Sequence, residues 1–186
     1  MALAKLTLLA LILPLFYTAG EAANSAASTR FIKVSCSTTR YPTLCLESLS
    51  LYAATIKQSP RQMAQTALSV TLARAVSAKT FVKKLNKLKG LKPREYIALK
   101  DCSQGMADGA DRLSKSVREL QRVAGKDSSW LVSNVQTWVS AALTDASTCL
   151  DGFAGRPLPS VTAEVTNVMK LTSNALALVN QFAAKL

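Results

Sequence analysis

Histidine is absent from all 186 residues of this chain. That removes the usual general base and the commonest metal ligand. Cysteine is scarce, at four residues. If all four pair, neither a thiol nucleophile nor a Cys/His zinc site remains. There is no Asn-x-Ser/Thr sequon, so N-glycosylation is not expected. Beyond Tyr17 no apolar run approaches the roughly 20 residues that a bilayer span requires. Acidic side chains are also few, 11 against 23 basic ones, which leaves a net charge of +12. The nearest carboxylate constellation is Asp101, Asp108 and Asp111, and Arg112 and Lys115 lie close enough along the chain to screen it. It reads as a solvated helix surface. Gly105 and Gly109 fall inside a helical pattern rather than a strand-to-helix loop, so they form no phosphate cradle. Nothing here can carry catalysis, and no cofactor or metal is expected.

What is present begins with an address. Lys5 precedes an apolar run from Leu6 to Tyr17, and the small-residue stretch Thr18–Ala23 follows. This is the pattern of a secretory signal peptide, with cleavage after Gly20 or between Ala22 and Ala23. The run is too short to anchor the chain in a membrane, and Pro14 interrupts it. Residues 1–22 are therefore read as signal and residues 23–186 as one secreted domain, extracellular and off the membrane once cleaved. Losing Lys5 and Glu21 together leaves the net charge at +12. Such a basic secreted protein suits a polyanionic wall or an acidic protein partner better than nucleic acid. Lys79, Lys83, Lys84, Lys87, Lys89, Lys92 and Arg94 concentrate the charge. They serve either polyanion retention or the dipole of a helix C-terminus.

Glycine and proline fall almost entirely between periodic segments and punctuate them. A first long helix is expected from about Arg61 to Leu88, with an apolar stripe of Met63, Ala67, Val70, Ala78, Phe81, Leu85 and Leu88. Arg74 interrupts that stripe, its stem able to cover core while its head reaches water. Pro93 opens a second helix carrying Tyr96, Leu99, Cys102, Met106, Leu113, Val117 and Leu120, which stops at Gly125. A third starts near Asp127–Ser129 and is expected to bury Leu131, Val135, Trp138, Ala142, Ala146, Cys149 and Phe153. Core packing is expected for Trp130 as well as Trp138. The fourth begins near Ser160, with Val161, Val165, Val168, Thr172, Ala175, Val179, Phe182 and Leu186 alternating in steps of four and three. The fold class is all-α: an up-down-up-down four-helix bundle over residues 60–186. Residues 28–55 form a short N-terminal helical hairpin extension. The large side chains fill the core, which argues against a hydrophobic carrier. Gly105 and Gly109 thin one stripe of the second helix, for close helix packing or for a contact surface. Each costs about 1 kcal/mol of helix propensity, so a reason is required.

The cysteines fit this plan. Cys36 and Cys45 can close a short loop, while Cys102 lies 23 residues before Gly125 and Cys149 lies 24 after it. Helices folding back at Gly125 bring those two side by side, roughly 35 Å from the turn at about 1.5 Å per residue. Of the three pairings, Cys36–Cys45 with Cys102–Cys149 alone suits both the loop and the hairpin. Loop closure values the bridges at about 2.7 and about 4 kcal/mol.

Several spaced motifs add identity to architecture. Cys36-x8-Cys45 encloses Tyr41-Pro42, and Ala98-Leu99-Lys100-Asp101-Cys102 follows. Then come Val135-Gln136-Thr137-Trp138-Val139-Ser140-Ala141-Ala142-Leu143-Thr144, Thr148-Cys149-Leu150-Asp151-Gly152-Phe153, and the tail Ser173-Asn174-Ala175-Leu176-Ala177-Leu178. In this order they resemble the plant invertase/pectin methylesterase inhibitor family, over essentially the whole mature chain. Invertase inhibitors typically carry Pro-Lys-Phe after the turn between the second and third bundle helices. Here that stretch reads Gly125-Lys126-Asp127-Ser128-Ser129-Trp130. The chain looks more like the pectin methylesterase inhibitors, and with the sequence ending at Leu186 it is expected to be an inhibitor rather than the pro-region of an enzyme.

The resemblance implies a partner and a face. The outer face of the second and third bundle helices would lie across the pectin-binding cleft of a pectin methylesterase. By motif position the inhibitory contacts are Gln104, Asp108 and Thr148. Members often have an acidic residue two positions after the third cysteine and a tyrosine two later. Gln104 and Met106 stand there in this chain, a departure that bears on binding strength and enzyme preference. The expected function is a secreted proteinaceous inhibitor of pectin methylesterase in the apoplast, with weak electrostatic association with acidic pectin besides. The alternatives are an inhibitor of cell-wall or vacuolar invertase, or a basic wall-binding protein with no enzyme target.

Overall fold

A computed structural model describes residues 25–88, 90–123, 128–155 and 158–186 of the chain. The expected signal segment, the turn at Gly125 and the start of its following helix at Asp127 lie outside the described residues. A helix over residues 25–37 (α1) leads into α2, Pro42–Leu49. A 3-10 turn at Ser50–Tyr52 and the short α3, Ala53–Ile56, follow. Four long helices complete the described chain: α4 Pro60–Leu85, α5 Pro93–Arg122, α6 Ser128–Asp151 and α7 Pro159–Ala183. Among the described residues there is no strand.

Local chemistry sets the helix starts. The Ser59 hydroxyl accepts a hydrogen bond from the Gln62 amide at 3.3 Å and caps α4, with Pro60 in its first turn. Pro93 and Pro159 open α5 and α7 in the same way. At α5 the Glu95 carboxylate also accepts from the Lys92 amide at 3.1 Å.

Each long helix packs on its two neighbours, α4 on α5 and α7, and α6 on α5 and α7. That is the antiparallel ring of a four-helix bundle, and α5 against α6 is its most extensive face. The core runs through Met63, Leu68, Ala78 and Val82 of α4 and Leu99, Met106, Leu113 and Leu120 of α5. Val132, Val135 and Val139 of α6 and Val161, Val165, Val168, Ala175 and Val179 of α7 complete it. Arg74 lies at the edge of this core, its guanidinium 3.2 Å from the Glu164 carboxylate on α7.

The seam differs from expectation at identifiable places. On α6 it runs through Val132 and Val139, one position beyond Leu131 and Trp138, which are only partly buried. Trp130 is 67% exposed, so neither tryptophan is a core residue. Val70, Phe81, Leu85 and Val117 flank the core, while Leu88, Tyr96 and Leu186 are exposed. Each of these last three lies in or beside the first or last turn of its helix. There the neighbouring helices no longer cover a full circumference.

The N-terminal hairpin is part of the core rather than an ornament on it. Ile32, Cys36, Cys45, Leu49 and Ile56 are all buried, and α2 rests on α4 and α7. Both disulfides form as the spacing predicts, Cys36–Cys45 with Cα atoms 5.5 Å apart and Cys102–Cys149 with 4.4 Å. A second tie holds the hairpin down. Asn174, 3% exposed on α7, accepts from the Tyr41 amide at 3.0 Å and donates to the Tyr41 carbonyl at 2.9 Å. One side-chain amide thus satisfies the Tyr41 amide and adds a second bond to a carbonyl that, at the start of α2, already accepts from the Cys45 amide at 3.0 Å. Gln181 adds bonds to the Ser35 carbonyl at 3.1 Å and the Thr38 hydroxyl at 2.8 Å.

Two predictions follow from these ties. Asn174→Ala leaves the Tyr41 amide without its partner, while the Tyr41 carbonyl keeps the bond from Cys45, and is expected to cost about 1–2 kcal/mol in urea unfolding. Asn180→Ala, on the exposed side of the same helix, stays within about 0.5 kcal/mol. The Cys102→Ser/Cys149→Ser variant is expected to lose more stability than Cys36→Ser/Cys45→Ser, because it opens the longer loop. A Cys102→Ser/Cys149→Ser protein as stable as wild type would contradict the role of that staple.

Candidate functional site

Two glycines decide how close α5 comes to α6. A Cβ on Gly105 would stand 3.3 Å from the Asp145 carbonyl oxygen, and one on Gly109 would stand 3.6 Å from the Asp145 Cβ. Close helix packing is therefore their use, with the thinned stripe of α5 turned toward α6. The facing positions are small as well: Ala142 and Ala146 are buried on α6. The Arg112 guanidinium then reaches across to the Asp145 carboxylate at 2.9 Å. Cys102–Cys149 fixes the same pair of helices at the end away from Arg122 and Ser128. The α5–α6 unit is thus held by shape, charge and a covalent bond.

Around that bridge lies a cleft of about 510 Å³. Arg94, Ile97 and Asp101 from the start of α5 form one bank, and Thr148 and Asp151 from the end of α6 form the other. Cys102, Cys149, Gly105 and Asp145 also line it. The rim carries Asp101 and Asp151 against the cation Arg94, the third carboxylate, Asp145, being paired with Arg112. Ile97 contributes an exposed apolar side chain.

The three residues expected to make the contact all lie on this side of the bundle. Gln104 and Asp108 meet one turn apart, with the Gln104 amide donating to the Asp108 carboxylate at 3.0 Å. Gln104 is exposed and Asp108 half-buried. Thr148 is exposed on α6 and lines the cleft, while Gln104 and Asp108 do not. The structure therefore joins two of the three directly and sets the third on the far bank. Sequence reasoning missed the part played by Asp145, Asp151 and Ile97. The available signal was Asp145 falling on the α6 stripe that faces the two glycines.

The expected screening of the acidic residues takes a different form. Arg112 serves Asp145, not Asp108. Lys115 lies 2.8 Å from the Asp111 carboxylate, and this hydrogen bond holds the Asp111 carboxyl below its usual range, with Lys115, Arg118 and Arg112 charges assisting. A lowered carboxyl contributes stability above its unfolded pKa and loses it as pH falls through the folded value. On so exposed a helix face the contribution is small. Among the described residues no three His, Cys, Asp or Glu come together as a metal site would need. The arrangement offers a rigid polar face with a shallow acidic cleft, suited to docking against another macromolecule.

Comparison with known proteins agrees with this geometry. A family model described as plant invertase/pectin methylesterase inhibitor matches residues 30–178. The "21 kDa protein" of Daucus carota is 51% identical over 172 residues, covering 88% of this chain and 89% of that protein. Pectinesterase inhibitor 9 of Arabidopsis thaliana is 51% identical over 173 residues, covering 87% and 85%. Among solved structures, a mutant form of a pectin methylesterase inhibitor from Arabidopsis superposes with a TM-score of 0.66 at 26% identity. That superposition covers 78% of this chain and 92% of that one.

The packing makes a discriminating prediction. Gly105→Val forces a branched side chain against the Asp145 carbonyl and is expected to destabilise by about 1–3 kcal/mol. Gly109→Ala places its methyl at ordinary contact distance and gains helix propensity, so it is expected to be neutral or stabilising by up to about 1 kcal/mol. Urea unfolding of the two variants checks both.

Proposed function

This chain belongs to the plant invertase/pectin methylesterase inhibitor family, and from that membership we propose that it is a secreted inhibitor of pectin methylesterase. The observation that carries the reading is the 51% identity to a pectinesterase inhibitor along 87% of the chain. No described helix is long and apolar enough to cross a membrane. With the signal pattern of residues 1–22, this supports delivery to the apoplast. There the protein regulates pectin esterification.

The inhibitor acts by occlusion. The α5–α6 face covers the cleft into which polymeric pectin must enter, and a stoichiometric complex leaves no room for substrate. Gln104, Asp108 and Thr148 make polar contacts, with the acidic rim of the cleft beside them. A stable complex buries about 800 Å² on each partner, an area that two long helices side by side supply. Rigidity matters as much as area. A face already fixed by a disulfide and a close helix contact loses little conformational entropy on binding. Acidic pectin, held by the net charge of +12, is a further, weaker partner.

Inhibition of a panel of pectin methylesterases and invertases by the purified protein tests the reading. Several methylesterases are expected to be slowed and the invertases left alone. The reverse pattern would move the protein to the other branch of the family, and inhibition of neither would leave a wall-binding protein. Asp108→Lys and Thr148→Arg are each expected to weaken inhibition at least tenfold with unchanged helicity and unfolding midpoint. Undiminished inhibition by both would show that the contact face lies elsewhere.

A further inference from the structure

We propose that a second surface, the groove between the Cys36–Cys45 loop and the first half of α7, binds a run of uronate units in an acidic polysaccharide. The groove has a volume of about 910 Å³, inside the usual range of roughly 300–1,000 Å³ for small-molecule sites. No acidic side chain lines it, whereas Arg40 and Lys170 do. Both cations sit by the Tyr41 ring, Arg40 Cζ at 5.8 Å and Lys170 Nζ at 5.5 Å from its centroid. At those distances the ring attracts each cation and holds it in place without neutralising it.

The groove is also held open. Tyr41 cannot sink into it, because Asn174 grips its amide and carbonyl and the disulfide closes the loop on either side. Two wall atoms await partners: the Thr162 hydroxyl oxygen and the Asn167 carbonyl oxygen are buried and make no hydrogen bond. A small turn of either side chain into the groove would let a ligand recover the free energy that burial without a partner costs.

These features select among ligands. An inorganic anion satisfies the cations but brings no donor to the Asn167 carbonyl. A neutral sugar brings hydroxyl donors but leaves both cations without a counter-charge. A uronate unit carries carboxylate and hydroxyls together, and its C–H face is apolar enough to lie along this largely apolar groove beside Tyr41. The choice of polymer rests on the proposed inhibition of pectin methylesterase. That enzyme hydrolyses methyl esters to methanol and free carboxylates, so its product is the polymer this groove would hold. The inhibitor would then collect where its target has already acted, with its inhibitory face on α5 and α6 left free.

Calorimetric titration of the disulfide-bonded protein with a galacturonate hexamer, at low ionic strength, tests the site. The de-esterified hexamer is expected to bind at least tenfold more tightly than its fully methyl-esterified form. Arg40→Ala/Lys170→Ala is expected to weaken binding at least tenfold, and Thr162→Val several-fold. Lys83→Ala/Lys84→Ala/Lys87→Ala, which removes more charge from the end of α4, is expected to weaken binding far less than Arg40→Ala/Lys170→Ala, by the loss of net charge alone. Equal affinity for the two hexamers, no binding at all, or an equal loss in the α4 variant would overturn the groove. Methylesterase inhibition by Arg40→Ala/Lys170→Ala should match wild type, and its loss would also overturn a separate site. Hexamer binding by a wild type that inhibits no methylesterase supports the groove while rejecting the inhibitor reading. Inhibition without binding does the opposite.

Discussion

The close approach of α5 to α6 is the constraint from which the rest of this structure is organised. Gly105 forgoes a side chain so that the Asp145 backbone can come within contact distance, and Gly109 faces the Asp145 side chain one turn on. The cost at Gly105 is about 1 kcal/mol of helix propensity, and the return is a close contact between the two helices. Arg112–Asp145 and Cys102–Cys149 then work on a geometry that packing has already chosen. Thr148 and Gln104 lie within two residues of the bridged cysteines, so the staple of the bundle also sets the spacing of the proposed contact face.

The same constraint explains where the sequence was legible and where it was not. Four long helices, their order, and both disulfides could be read from punctuation and spacing, since each is a local or symmetric property. The α6 seam was legible at Val135, Ala142, Ala146, Cys149 and Phe153, all buried, but not at Leu131 and Trp138. Leu131/Trp138 and Val132/Val139 form adjacent stripes, and size favours the first as core. The structure buries Val132 and Val139 instead, with Trp130 exposed and Trp138 only partly buried. Helix-end residues such as Tyr96 and Leu186 were misassigned because periodicity continues past the point where neighbours stop covering a helix.

Polar residues in apolar stripes proved the most informative exceptions. Asn174 sits in the buried face of α7 with Thr172 and Ala175 beside it, an expensive place for an amide unless its bonds are met. They are met by Tyr41, which couples the N-terminal hairpin to the bundle and gives the disulfide loop a fixed position. Glu119 is similar, buried on α5 and paired with Asn134 at 3.1 Å and Arg122 at 3.5 Å. The proposed contact residues came from family resemblance alone. Gln104, Asp108 and Thr148 are ordinary surface chemistry, and neither charge nor periodicity sets them apart.

On this account the bundle presents two faces of opposite character, an acidic-rimmed one on α5 and α6 and a cationic groove beside α7. The most direct test of the central claim is a cross-saturation NMR footprint of the labelled protein bound to a pectin methylesterase. The account predicts attenuation centred on Gln104, Asp108 and Thr148, with the signals of Arg40, Tyr41 and Lys170 unaffected. Attenuation centred on the α7 groove, with the α5–α6 face untouched, would contradict it.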